Sequence, residues 1–173
     1  MIITENFIGE LSENPLALSI GMFDGVHLGH QSIIKKLNTI SEEKNLKSAI
    51  LTFWPHPRKI FNPNDDLKLL NTIEEKKYLF LKEFDEDFRN LAGEEFVKQI
   101  LVEKLQVKHL IVGYDHTFGK NRSGDFSLLK KMGPKFGFEV EQVGAVSYKG
   151  LNISSTQIRN ALLNGNIVLA NEM

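Results

Sequence analysis

Short unbroken apolar runs alternate along this chain with stretches whose apolar residues recur three and four apart. Leu16–Gly21 (LALSIG), following Pro15, reads as a buried strand that breaks into the glycine-punctuated GMFDGVHLGH. Ile33, Ile34, Leu37 and Ile40 then fall at helical spacing, so a helix is expected from near Gly29 to about Lys44. Ser48–Trp54 (SAILTFW) reads as a second strand, stopped by Pro55 and Pro57 because proline cannot donate to a ladder, and PHPRKIFNPNDD as loop. Thr72 with Glu75 forms a capping-box pattern before EKKYLFLKEF, which predicts a helix from about Ile73. A further helix is expected over Gly93–Leu105, with the acidic stretch Glu83 to Asp87 as a solvated surface before it. Val107–Gly113 reads as a third strand, Tyr114–Asp125 as loop, Asp125–Phe136 as helix and Phe138–Val143 as strand. Ser154 with Gln157 opens a helix through Leu163 that Gly165 would end, and Ile167–Met173 is helix-like.

Strands alternating with helices in this order predict an α/β layer fold with a mostly parallel sheet, since parallel strands need crossover connections. Right-handed crossovers would bring the strand-exit loops to one edge, where such folds bind ligands. At 173 residues, with no repeat, low-complexity tract or linker, a single domain over 1–173 is expected. Lysine and arginine number 21 against 22 acidic residues, so a net charge of −1 argues against a nucleic-acid partner and leaves any anion to be met locally. Cysteine is absent, which excludes disulfides and thiolate chemistry. The N-terminal stretch, with Glu5, Glu10 and Glu13, lacks the pattern of a secretory signal. No run approaches the roughly 20 apolar residues of a membrane span. The cytoplasm is the expected compartment, with no membrane partner.

The unusual residues gather in the predicted loops. His27 and His30, three apart at a helix start, share one face beside backbone N–H groups at the positive end of the helix dipole, a setting that favours phosphate. Gly25 and Gly29 would let backbone approach a ligand closely. Zinc bound through His27, His30 and Asp24 or His56 lacks an obvious third ligand, so no metal site is assigned to the protein itself. Ser154, Ser155 and Thr156 lie at a second helix N-terminus, with Arg159 one turn on and able to fork onto phosphate oxygens; a plain cap with a surface arginine accounts for that segment equally well. Gly119, Lys120 and Arg122, extended through Lys130, Lys131 and Lys135 and joined by His116, give a cationic region. It is no Walker A loop: five residues separate Gly113 from Gly119, and Asn121 stands where Ser or Thr would hold magnesium. Pro55 and Pro57 supply rigid backbone beside Phe53, Trp54 and Phe61, suited either to walling a flat ligand or to packing under a loop.

His27-Leu28-Gly29-His30 resembles the HxGH signature of the nucleotidylyltransferase superfamily. The longer run from Gly21, with Thr52–Pro57, Gly113–Lys120 and Ile153–Arg159 in the same order, is similar to the FMN adenylyltransferase module of prokaryotic FAD synthetases, from about residue 16 to the last. The resemblance implies a Rossmann-like fold and transfer of AMP from ATP to FMN with Mg²⁺, giving FAD and pyrophosphate. It implies His27, His30 and Arg159 as catalytic residues. Gly21, Phe23, Asp24, Gly25, Gly29, Asp115, Gly119, Lys120, Arg122, Ser154, Ser155 and Thr156 would meet ATP, with Asp115 near the adenosine end. Phe53, Pro55, His56, Pro57, Phe61 and Asn62 would meet the flavin, with Arg58 or Asn62 at its polar edges. His116 and Thr117 depart from the family's pattern, which has an aromatic and often an arginine there. In that family a riboflavin kinase domain usually follows, and it is expected to be absent from this chain. Two alternatives stay open: a sister nucleotidylyltransferase with another phosphate-bearing acceptor, and a non-catalytic flavin or nucleotide binding module.

Overall fold

The computed structural model describes residues 15–72 and 80–173. Its elements are β1 (Leu16–Ile20), α1 (Leu28–Lys44), β2 (Lys47–Trp54), α2 (Pro57–Phe61), β3 (Phe80–Glu83), α3 (Glu86–Asn90), α4 (Gly93–Glu95) running on as a π-helical stretch (Phe96–Lys104), β4 (Val107–Gly113), α5 (Phe126–Phe136), β5 (Glu139–Val143), the short β6 (Ser147–Tyr148) and β7 (Leu151–Asn152), α6 (Ser155–Leu163) and α7 (Ile167–Glu172). A 3₁₀ turn, Lys120–Arg122, interrupts the loop after β4.

Five strands form one parallel sheet in the order β3-β2-β1-β4-β5. From β1 the chain moves outward through β2 to β3, then returns past β1 to β4 and β5. Right-handed crossovers therefore place helices on both faces, and the order reverses between β1 and β4. β1 is buried at every position, as a central strand covered on both sides must be. Its alternate residues serve two layers. Leu16, Leu18 and Ile20 pack with Val97, Leu101, Leu110 and Leu129 beneath the π-helical stretch and α5, whereas Ala17 joins Leu37, Ile40 and Ile111 beneath α1.

Two expectations need correcting, and one feature is additional. Residues 80–83, placed in a helix by their capping pattern, form the edge strand β3, in register with Leu51–Trp54. An exposed ladder at the sheet edge outweighs local helix propensity. Thr72 precedes, and Glu75 lies within, the stretch outside the described residues. PHPRKIF is not all loop: Pro57 opens α2 at a first-turn position, where its missing N–H costs nothing, and the His56 ring caps it by accepting from the Arg58 amide at 3.1 Å. The hairpin β6–β7 was not foreseen; Lys149 (φ 49°) and Gly150 (φ 80°) supply its turn. Elsewhere the predicted strands and helices stand within a residue or two. Asp125, Ser154 and Asn166 each cap the following helix through a side-chain oxygen.

Candidate active site

The loops leaving β1, β2 and β4 and the start of α6 meet at the sheet edge where the strand order reverses. Gly21 follows β1, and the loop bends through Phe23 (φ 46°), Gly25 (φ 84°) and Val26 (φ 38°) before entering α1. Left-handed backbone at Phe23 and Val26 is held only because the surroundings fix it. Asp24 does much of that fixing. It is buried to 1% exposure, and one carboxylate oxygen accepts from the amides of Leu70 at 2.9 Å and Asn71 at 3.0 Å. The other accepts from Nη2 of Arg159, and the Asp24 carbonyl accepts from the Ser155 hydroxyl at 2.8 Å. Arg159 also donates from Nε to the Lys68 carbonyl at 2.6 Å. The loop after β1, segment 68–71 and α6 are thus tied through one carboxylate.

His27 caps α1, its Nδ1 accepting from the His30 amide at 3.3 Å. An acceptor Nδ1 leaves the neutral ring's proton on Nε2. The His27 and His30 rings stack with centroids 3.7 Å apart, and Phe23 closes on His30 at 4.8 Å. Burial pushes His27 below the ordinary imidazole range, overcoming the raising pull of Asp115 and Asp24. The first turn of α1 is less open to an anion than its sequence implies: Leu28 donates to the Met173 carbonyl at 2.7 Å and His30 to His27. An anion placed there would be met mainly by side chains.

A cleft of about 540 Å³ is lined by Gly21, Phe23, Asp24, His27, Gly29, His30, Asp115, Arg122, Ser154, Ser155, Thr156 and Arg159, together with Val143–Val146 after β5. A second, of about 650 Å³, is lined by Phe53, His56, Pro57, Phe61 and Asn62, with Phe84, Phe88, Phe96, Phe118 and Gly119. Its phenyl rings form a chain of contacts: Phe53 to Phe88 at 5.3 Å, Phe88 to Phe96 at 5.7 Å and Phe96 to Phe118 at 5.2 Å. The two compartments share Ile20, Gly21, Met22, His56, Arg58, His116, Thr117 and Arg122.

Most residues singled out by sequence therefore line one or other of these two adjoining compartments. Gly119 lies with the aromatic group, and Gly25, Lys120 and Pro55 line neither compartment. Gly25 serves packing: a Cβ there would stand 2.6 Å from Leu70, and its amide donates to the Asn71 side chain. The cationic region is also narrower than its sequence. Lys130 lines a separate cleft with Lys44 and Lys108, and the cations facing the two compartments are Arg58, Arg89, Arg122 and Arg159. Sequence reading missed Phe84, Phe88 and Phe96; the four-residue spacing of the first two was the available signal.

A sequence model of the FAD synthetase family matches residues 10–157. The chain belongs to the FAD synthetase family. The bifunctional riboflavin kinase/FMN adenylyltransferase of Buchnera aphidicola (subsp. Schizaphis graminum) is 40% identical over 91% of this chain and 54% of its own length. That of Escherichia coli K12 is 35% identical over 96% of this chain and 57% of its own length. The chain thus spans about half the length of these relatives. A crystal structure described as a macrolide-efflux protein from Streptococcus pneumoniae superposes with a TM-score of 0.82 at 29% identity, over 99% of this chain and 60% of that one. A pantoate-beta-alanine ligase from Francisella tularensis, at TM-score 0.58 and 16% identity, shares the fold. Among the described residues no helix is long and apolar enough to cross a membrane.

Acid should loosen this family member before its carboxylates titrate. Burial lowers His116 to about 4, and lowers His27 and His109 from the ordinary 6.5. Between those values the unfolded chain binds more protons than the folded one, so stability falls as pH falls. Linkage gives about 2 kcal/mol lost from His116 alone by about pH 5. Urea midpoints at about pH 7.5 and about pH 5 measure this, and equal midpoints would refute it.

Proposed function

We propose that this chain transfers the adenylyl group of ATP to FMN, giving FAD and pyrophosphate. The observation that carries the reading is the shared wall between a polar compartment at two helix starts and an aromatic one. A triphosphate in the first and a flavin in the second would bring their phosphates together.

A phosphate oxygen of FMN attacks the α-phosphorus of ATP, and the bond from that phosphorus to the oxygen bridging towards the β-phosphate breaks, releasing pyrophosphate. FMN's phosphate is largely ionised at neutral pH, its second pKa lying near 6, so no protein base is required. The protein's task is alignment and stabilisation of charge on the leaving group. His27 presents Nε2–H to the phosphates, and His30 lies stacked against it. Arg159, fixed by Asp24 and the Lys68 carbonyl, offers its remaining N–H groups. Ser154 and Thr156 border the same space, with Asp115 at the adenosine end. Among the described residues no group of three or more His, Asp or Glu is placed to hold a metal. Magnesium carried in with ATP would disperse the negative charge of its phosphate oxygens. The flavin ring lies among Phe53, Phe61, Phe84 and Phe88, bordered by Pro57 and Asn62.

The test is turnover. Incubation with FMN, ATP and Mg²⁺ is expected to yield FAD and pyrophosphate in equal amounts. Riboflavin, which lacks the attacking phosphate, should yield neither. Flavin binding without pyrophosphate would leave a binding module, and activity only with another phosphate-bearing acceptor would leave a sister enzyme; either result overturns the proposal.

A further inference from the structure

His116 stands at the junction of the two compartments and lines both. It sits in the turn after β4, its amide donating to the Gly113 carbonyl at 3.2 Å, and its ring stacks on Phe118 with centroids 5.8 Å apart and planes 23° from parallel. Its Nε2 is buried and lacks a hydrogen-bond partner among the described residues. A buried polar nitrogen left unpaired is costly, and one at a ligand cavity is best explained by a partner that the ligand brings. A half-turn of the ring about χ2 exchanges Nε2 with Cε1 without moving the backbone, so such a partner can be met from the cavity side.

We propose that His116 is a specificity-determining residue for the acceptor: its Nε2 hydrogen-bonds the phosphate monoester of FMN where the two compartments meet. This rests on the reading that the chain adenylylates FMN. The junction is where the phosphate must lie if the ring occupies the aromatic compartment and the ester oxygen is to reach ATP. Arg122 borders the same junction and brings positive charge to it, beside Arg58, whose guanidinium is paired with Asp65. Because burial keeps His116 uncharged at neutral pH, with only the nearby Asp115 pulling its titration upward, the ring adds direction without a further cation. A neutral donor orients the attacking oxygens while withdrawing less of their electron density than an ion pair would. Riboflavin, with a hydroxyl in place of the phosphate, offers a weaker acceptor there.

The test joins kinetics to ring titration. His116→Phe keeps the stack on Phe118 and removes the donor; it is expected to raise the KM for FMN at least about tenfold, the scale of one hydrogen bond to a charged group, with the KM for ATP unchanged. His116→Gln should recover part of the loss. In the wild-type chain, NMR of the His116 ring should show its titration midpoint rising from about 4 when FMN is added and staying put with riboflavin. An FMN KM unchanged in the Phe variant, or a midpoint insensitive to FMN, overturns the assignment. Should His116→Phe fail to fold, the wild-type titration decides alone. Absence of FAD from the wild-type chain sinks the functional reading; FAD formation with an indifferent His116 sinks this residue's role only.

Discussion

Asp24→Ala is expected to destabilise the folded chain by about 3–5 kcal/mol, the range for removing one partner of a buried ion pair. The cost arises in what stays behind. Arg159, its side chain 13% exposed, keeps its charge and loses its counter-ion, while the Leu70 and Asn71 amides lose their acceptor. The pair's own attraction is a poor guide, because desolvation opposes it; the uncompensated cation dominates. Asp24→Asn separates the two effects. It retains an acceptor for the amides and removes the negative charge, so it should fall between wild type and Asp24→Ala. Urea unfolding of the three proteins measures this, and Asp24→Ala at wild-type stability would show the carboxylate to be dispensable. Activity should fall with it, since Arg159 and the start of α1 lose their common anchor.

His30→Ala is expected to lower kcat about 10²–10³-fold, the usual scale for removing one donor that stabilises developing negative charge. The substitution is clean in one respect: alanine keeps the backbone N–H that bonds to His27 Nδ1, so the cap of α1 survives. What disappears is the ring between Phe23 and His27. Loss of those contacts would lower the unfolding temperature and raise KM, whereas loss of transition-state stabilisation lowers kcat at unchanged KM. A folded His30→Ala protein with near-wild-type turnover would remove His30 from the catalytic set.

The parallel sheet and most of its helices were legible because their signals are local: a buried strand is an apolar run, and a helix cap is a serine or aspartate ahead of apolar residues three and four apart. Residues 80–83 misled for the opposite reason. Their strand exists because Leu51–Trp54 offers a parallel partner, and nothing in the segment announces that partner. The site divides likewise. His27, His30 and the Ser154–Thr156 turn stood out by motif, but the roles of neighbouring residues follow from contacts between distant segments. At Gly25 the close approach visible in the structure is to Leu70, a residue far away in sequence. Asp24 lines the polar cleft and also ties three segments, a role that its sequence setting does not announce. His116, counted among the cations, is neutral because the fold buries it.

The bond from the Leu28 amide to the Met173 carbonyl, and the Asp24–Arg159 pair across 135 residues, bear on when the site can exist. A chain emerging from the ribosome can assemble β1, α1 and β2 early, since they are close in sequence. The first turn of α1 stays unanchored until the segment ending at Met173 has emerged and folded back. A chain stalled short of α6 would therefore hold the histidine motif without the lock that sets it. On this ordering, the histidine motif is set only after α6 and α7 have been made.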